Sequence, residues 1–152
     1  MSESLLKVRL SEDTKTVMRA RDARRLGVMR LINSEIKRVE VDERRVLSDV
    51  DIVAVLERML KQRADSHRQF VAAGRADLAD QEAFEIDIIR AYMPAALTAD
   101  ALTGAIAAAV ADSGATSAKD MGAVMALLKT RVAGRADMKD VSALVRQALS
   151  GT

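Results

Sequence analysis

Residues 48–60 read SDVDIVAVLERML and carry the clearest helix signal of this 152-residue chain. Ser48 and Asp51 have the spacing of a capping box, in which each side chain accepts a hydrogen bond from the other residue's backbone at the start of a helix. The apolar residues that follow recur every three or four positions and so share one helix face: Ile52, Val55, Leu56, Met59 and Leu60. The pattern predicts a helix that begins at Ser48. Its end is predicted near Ala73, because Gly74 readily takes the left-handed conformation of a helix C-terminus.

The same spacing extends along nearly the whole chain and predicts an all-α fold. Upstream, we expect a helix over Ser4–Ala20 and an amphipathic helix that begins near Asp22. Downstream, we expect Asp77 to cap a fourth helix that stops at Pro94, since a proline pushes the residue before it out of the helical region.

Pro94 is the only proline, and the residues after it have fewer charges and more alanine. We therefore predict an N-terminal domain of about four longer helices, residues 1–94, and a C-terminal three-helix bundle, residues 95–152. Three capping residues predict the starts of the helices in the bundle: Thr98, Ser117 and Asp137. Gly134 is expected to end the middle helix. The last helix is expected to bury four apolar residues: Val141, Leu144, Val145 and Ala148.

One short sequence occurs twice, as Gly74–Asp77 and as Gly134–Asp137. Both copies read GRAD and lie where one predicted helix ends and the next begins. Glycine at a helix C-terminus and aspartate at a helix N-terminus explain the recurrence by capping chemistry alone. The repeat does not indicate a duplicated domain.

The composition excludes several classes of protein. The chain has no cysteine, which excludes disulfides and thiolate metal sites. Its first residues lack the basic and apolar segments of a signal peptide. The longest apolar run, Ala105–Ala111, is far shorter than the ~20 residues that cross a bilayer. We therefore expect a soluble, cytoplasmic protein without membrane contact.

No group of residues predicts catalysis. His67 is the only histidine and lies on or beside the apolar face of its helix, where a structural role is the more common one. Glu82 and Glu85 form a carboxylate pair of a kind that is frequent on exposed helices, and acid–base catalysis requires a cleft that separates the pKa values of such a pair. Neither metal-ligand spacing nor a glycine-rich phosphate loop is present. We expect no catalytic site, no metal and no cofactor.

Basic residues are concentrated in two segments. Lys15–Arg38 contains eight basic and two acidic residues, a difference of +6, and Lys119–Arg146 contains six and three, a difference of +3. Each segment is either a docking patch for phosphate or a solvated helix face. The chain has only three aromatic residues, too few for a platform that stacks single-stranded bases. If the protein binds RNA, it is expected to contact the backbone and shape of a folded RNA.

Several motifs together resemble the GatB/YqeY family. Three resemble the C-terminal signature of that family: Lys119–Met125, Gly134–Asp137 and Val141–Val145. Three more are similar to its stand-alone YqeY branch: Leu26–Ile32, Gly74–Leu78 and Tyr92–Pro94. Their order and spacing cover essentially the whole chain.

The resemblance implies a role in translation. In the B subunit of the glutamine-dependent Asp/Glu-tRNA amidotransferase, the related region is a C-terminal appendage that helps to hold tRNA. This chain lacks the large catalytic body of that subunit, so the resemblance implies an accessory tRNA-binding protein without activity of its own. Any carbon–nitrogen ligase chemistry would belong to a partner, either an amidotransferase or an aminoacyl-tRNA synthetase.

The tRNA role, transferred to matching positions, points to the junction before the last helix. Gly134 would let the RNA backbone approach closely, and the N-terminus of that helix offers N–H groups to a phosphate. Arg131, Arg135 and Lys139 flank this junction. The RNA-binding residues predicted in the C-terminal part of the chain are Lys119, Lys129, Arg131, Gly134, Arg135 and Lys139. A second predicted group is Arg21, Arg24 and Arg25. The alternative function is a protein-interaction module that docks an amidotransferase, a synthetase or another chain, and the oligomeric state is left open.

Overall fold

The computed structural model describes residues 3–151, and within them the secondary structure is helical without a strand. The predicted all-α fold is confirmed. The helices are α1 (Leu5–Arg19), α2 (Ala23–Glu43), α3 (Asp49–Ala72), α4 (Ala76–Arg90), α5 (Ala99–Ser113), α6 (Met121–Arg131) and α7 (Met138–Ser150), with a short 3-10 helix at Ala118–Asp120. None of the described helices has both the length and the apolar character that a bilayer crossing requires.

The chain divides into two compact units, one ending at Met93 and one beginning at Pro94. Helices α1–α4 belong to the first, here called the N-terminal unit, and α5–α7 belong to the second, the C-terminal unit. That each unit is a domain able to fold alone remains a prediction.

The capping box at the start of α3 is present as predicted. The Ser48 backbone N–H donates to Asp51 Oδ2 at 2.9 Å, and the Asp51 N–H donates to Ser48 Oγ at 3.3 Å. Arg45 also donates to Asp51 at 2.7 Å, and this hydrogen bond is the main reason that the pKa of Asp51 lies well below its ordinary value. At the other end, Gly74 has the expected left-handed conformation, with φ of 70°.

The core of the N-terminal unit is almost wholly aliphatic. Its most deeply buried side chains come from α1, α2, α3, α4 and the α2–α3 loop: Leu10, Met29, Ile32, Leu47, Ile52, Leu56 and Ile89. Tyr92 is the one aromatic residue of this core that is itself buried, and its hydroxyl donates to Asp13 Oδ2 at 2.6 Å. Burial raises the pKa of Tyr92, so that its hydroxyl keeps its proton.

The prediction that Asp77 caps α4 is wrong. The N-cap residue is Arg75, and its side chain makes no capping hydrogen bond. Asp77 lies inside the first turn, and its carboxylate accepts two hydrogen bonds from the Arg75 guanidinium, at 3.2 and 3.1 Å. Because α4 begins at Ala76, Asp77 is the second residue of the helix and not its N-cap.

The C-terminal unit has its own core, centred on Ile106, Val124, Leu128, Val141 and Val145. As predicted, Thr98 caps α5 and Asp137 caps α7 through their side chains. Two details of the prediction are wrong. Helix α6 ends at Arg131, three residues before Gly134. In α7, Ala148 and Leu144 are exposed, and the buried face instead continues from Val145 to Leu149.

Candidate nucleic-acid interface

The segment that joins α6 to α7, residues 132–137, is called the C-terminal turn below. Val132 is buried and closes α6 by donating its N–H to Leu128 O at 2.9 Å. Gly134 has φ of 69°, a left-handed conformation that costs side-chain-bearing residues about 1 kcal/mol or more. Asp137 then caps α7 by accepting from the Lys139 N–H at 2.8 Å. The turn is therefore fixed at both ends by backbone hydrogen bonds.

Arg135 fixes the turn to the segment before α5. Its Nε donates to Ala95 O at 2.9 Å, and its own carbonyl accepts from the Leu97 N–H at 2.8 Å. Arg131 is also occupied, since its guanidinium lies 2.8 Å from the carboxylate of Asp112 at the end of α5. Both predicted RNA-binding arginines thus have structural partners within the unit.

The lysines of the predicted site differ from the arginines. Lys129 lies in the last turn of α6, Lys139 in the first turn of α7, and Lys119 in the 3-10 helix, which packs against α6 and α7. All three are exposed, and none has a carboxylate within ion-pairing distance in residues 3–151. These lysines are the unpaired cations of the predicted site.

The charge at the C-terminal turn is moderate. Between Lys129 and Asp140 there are four basic residues (129, 131, 135 and 139) and two acidic ones (137 and 140), which leaves 4 − 2, or +2. One oxygen of Asp137 is already engaged by the backbone of α7. An anion at the turn would therefore meet mobile lysine ammonium groups rather than a rigid arginine fork.

The three predicted N-terminal arginines differ in their surroundings. The Arg24 guanidinium lies 3.8 Å from the centroid of the Phe84 ring, and its Nε donates to Gln81 at 3.3 Å. Arg25 is 3.8 Å from the carboxylate of Asp22. Arg21 adopts the left-handed conformation with φ of 56° in the turn between α1 and α2. Of the three, only the Arg21 side chain lacks a partner among the described residues.

The structure brings together polar residues that are not part of the RNA-binding site predicted from the sequence. A groove of about 430 Å³ runs between α1 and α2 and is lined by Lys7, Ser11, Thr14, Lys15, Asn33, Ile36, Lys37 and Glu40. In the sequence, Lys15 and Lys37 are only two members of the basic segment Lys15–Arg38. Their proximity depends on how α1 packs against α2, which the spacing within either helix does not report.

The carboxylate pair on α4 lies beside α3 rather than in an open cleft. Arg63 Nε donates to Glu85 Oε2 at 2.9 Å, and both side chains are largely buried. The pKa of Glu82 is raised, first by burial and then by the nearby charge of Glu85. Among residues 3–151, no three histidine, aspartate or glutamate side chains converge as metal ligands would.

Comparison with known proteins identifies relatives of this sequence. A family model described as "Yqey-like protein" matches residues 7–149. The protein "Altered inheritance of mitochondria protein 41, mitochondrial" of Candida glabrata is 33% identical over 86 residues, which are 55% of this chain and 47% of that protein. Its counterpart in Clavispora lusitaniae is 37% identical over 84 residues, 55% of this chain and 49% of that protein. The chain thus spans about half the length of these curated relatives.

These relatives correct one prediction. Their names place them in mitochondria, so the cytoplasmic location predicted from the sequence is wrong on this comparison. The prediction used the lack of cysteine and of a secretory signal pattern. Neither observation separates the cytoplasm from the interior of an organelle.

Proposed function

We propose that this chain, which belongs to the Yqey-like protein family, is an accessory tRNA-binding protein with no catalytic site of its own. The observation that carries the proposal is a set of three exposed, unpaired lysines in the C-terminal unit. Lys129 and Lys139 flank the C-terminal turn, and Lys119 lies at the other end of α6. Phosphate contacts dominate the affinity of proteins for nucleic acid, and lysine supplies them without reading base sequence. The choice of tRNA comes from the resemblance to the amidotransferase B-subunit tail.

In this proposal the lysines and arginines of the turn have different roles. Arg131 and Arg135 hold α5, α6 and the turn in place through Asp112 and Ala95. Lys119, Lys129 and Lys139 then contact phosphates. The scarcity of accessible aromatic rings fits this mode, since Tyr92 is buried and Arg24 covers Phe84. The protein is therefore expected to bind the backbone of a folded RNA and to tolerate changes in its sequence.

The test replaces all three lysines by glutamine, a residue of similar helix propensity. Each phosphate contact contributes about −0.9 to the slope of log affinity against log salt. The loss of one contact therefore weakens binding about eightfold at ~0.1 M salt. We expect Lys119→Gln/Lys129→Gln/Lys139→Gln to make that negative slope shallower by about 3 and to weaken tRNA binding by about 100-fold or more. Fluorescence anisotropy with labelled unfractionated tRNA measures both quantities.

The matched control removes three cations from the N-terminal unit. Arg44, Lys61 and Arg90 are exposed and have no ion pair in the described part of the chain. Their triple glutamine variant should bind tRNA as the wild type does. If the salt dependence becomes equally shallow in both triple variants, only the net charge of the protein matters. If it is unchanged in the lysine variant, the proposed RNA-binding site is wrong.

A second candidate function is docking of a protein partner, such as an amidotransferase or a synthetase. It is favoured by an apolar groove of about 510 Å³ between α5 and α7, lined in part by Ile106, Val110, Leu144 and Ala148. Leu144 is exposed there although large apolar side chains are usually buried. Apolar docking would survive nuclease and high salt, whereas phosphate contacts would not.

A further inference from the structure

Two side-chain hydrogen bonds at different positions along the helices join α1 to α2 beside the groove. Asn33 Nδ2 donates to Thr14 Oγ1 at 3.0 Å, and Lys7 Nζ donates to Glu40 Oε2 at 2.8 Å. From Lys7 to Thr14 the chain advances along α1, while their partners go back along α2 from Glu40 to Asn33, so the two helices run antiparallel. Lys15 and Lys37 both line the resulting groove.

The single acidic residue of the groove is already neutralised. Glu40 accepts from Lys7 and also from the Leu47 backbone N–H at 3.0 Å, and these hydrogen bonds lower its pKa. Lys37 has no ion pair among the described residues. Lys15 lies 3.4 Å from Glu12, but both side chains are more than half exposed, and such pairs contribute about 1 kcal/mol at most. The groove therefore presents two available positive charges.

The same face of α2 extends the positive surface. Arg30, Asn33 and Lys37 are separated by three and four residues, the spacing that aligns side chains along one face of a helix. Arg30 is exposed and has no ion pair in the part of the chain that the structure describes. Its position one turn before Asn33 continues the row of cations beyond the groove towards the α1–α2 turn.

The uncharged residues of the groove are suited to phosphate oxygens. Ser11 is exposed, and its hydroxyl makes no hydrogen bond within residues 3–151, so it is available as a donor. Asn33 uses one of its two amide hydrogens on Thr14 and keeps the other. Serine, asparagine and lysine are typical donors to phosphate and sugar. The groove lining contains no aromatic side chain on which a base could stack.

The length of the groove favours a polymer over a single phosphate. Lys7 and Lys15 are eight residues apart on α1, which at about 1.5 Å per residue is about 12 Å. A groove of that length exceeds one phosphate group and can follow consecutive phosphates of a strand. We infer that the α1–α2 groove binds the phosphodiester backbone of RNA through Lys15, Lys37, Ser11 and Asn33.

This inference rests on the proposed function for the identity of the ligand as RNA, and it adds a contact surface on the N-terminal unit. The test uses the full chain with Lys15→Gln/Lys37→Gln. We expect the negative slope of log affinity against log salt to become shallower by about 2 and affinity to fall by about 50-fold at ~0.1 M salt. Because the contacts are to backbone, the loss should be the same for unfractionated tRNA and for a hairpin RNA of unrelated sequence.

The control is Lys61→Gln/Arg90→Gln, which removes two unpaired charges of the same unit away from the groove and should leave the slope unchanged. If the wild type binds tRNA and only the variant of the C-terminal lysines loses slope, the groove inference is overturned and the proposed function stands. If the wild type binds no RNA, both are overturned. Loss of binding to phosphatidylserine vesicles, with RNA binding unaltered, would assign the groove to a membrane surface instead.

Discussion

Replacing Arg63 by methionine should lower the free energy of unfolding by about 3 kcal/mol at neutral pH, since breaking a buried ion pair leaves a buried charge without compensation. The Arg63 and Glu85 side chains are only 15% and 13% exposed, and their charged atoms are 2.9 Å apart. Beside them, Glu82 has a buried carboxylate oxygen with no hydrogen-bond partner among the described residues. Without Arg63, Glu85 would lose its ion-pair partner, and of the two charges that lower the pKa of Glu82 only the weaker effect of His67 would remain.

The loss should depend on pH in a defined direction. The pKa of Glu82 is already raised in the folded state above its ordinary value of 4.5. A group with a raised folded-state pKa contributes stability that is present below its unfolded pKa and is lost as pH rises through the folded pKa. The charge of Arg63 lowers the pKa of Glu82, so removing Arg63 should raise the folded-state pKa of Glu82 further. The deficit of Arg63→Met should therefore shrink as pH falls towards about 4.5.

Urea unfolding followed by helical circular dichroism at several pH values measures this effect. The informative control is Arg63→Met/Glu85→Met, which replaces both partners by apolar groups. Such replacements are often nearly neutral, so the double variant should recover most of the lost stability. A single variant as stable as the wild type, or a double variant no better than the single one, would contradict the account of this ion pair.

Leu128→Ala should destabilise the C-terminal unit by about 3 kcal/mol, within the range of about 2–5 kcal/mol for such core truncations. Leu128 is 0% exposed and packs in the core with Val124, Val141 and Val145. A unit of this size buries a limited apolar surface on folding, so the loss is a large part of its total stability. Urea unfolding monitored by circular dichroism measures the change.

The same unit provides a control of identical chemistry. Leu144 is 37% exposed, so Leu144→Ala removes less buried surface and should cost about 1.5 kcal/mol or less. If residues 95–152 form a separate domain, as the sequence predicts, Leu128→Ala should also split the unfolding curve into two steps. Equal effects of the two substitutions would contradict the assigned core.

Much of the fold could be predicted because the relevant chemistry is local. The Ser48–Asp51 box is complete within four residues, and the structure contains both of its hydrogen bonds. The two GRAD sequences mark the limit of such reasoning. Arg75 is the N-cap residue of α4 and pairs with Asp77, whereas Arg135 donates to Ala95, forty residues away, and Asp137 caps α7. No feature inside the four residues distinguishes the two outcomes.

The candidate sites depended still more on distant contacts. The sequence places Arg24 in a basic segment, but only the packing of α2 against α4 shows that its guanidinium covers the Phe84 ring. Likewise, Lys15 and Lys37 are 22 positions apart and become lining residues of one groove only because Thr14 packs against Asn33. The basic segments of the sequence indicate where cations are abundant. Tertiary contacts determine which of those cations remain unpaired.

Binding of the wild-type protein to unfractionated tRNA, titrated against salt beside an RNA duplex of unrelated sequence, tests the proposed function most directly. The proposed function predicts binding at low salt, a preference for tRNA, and a slope of log affinity against log salt of about −3 or steeper. The three C-terminal lysines alone would give about −3, and added contacts in the α1–α2 groove would make it steeper. No binding at low salt, or an affinity that does not change with salt, would contradict it, and equal affinity for both RNAs would contradict tRNA as the target.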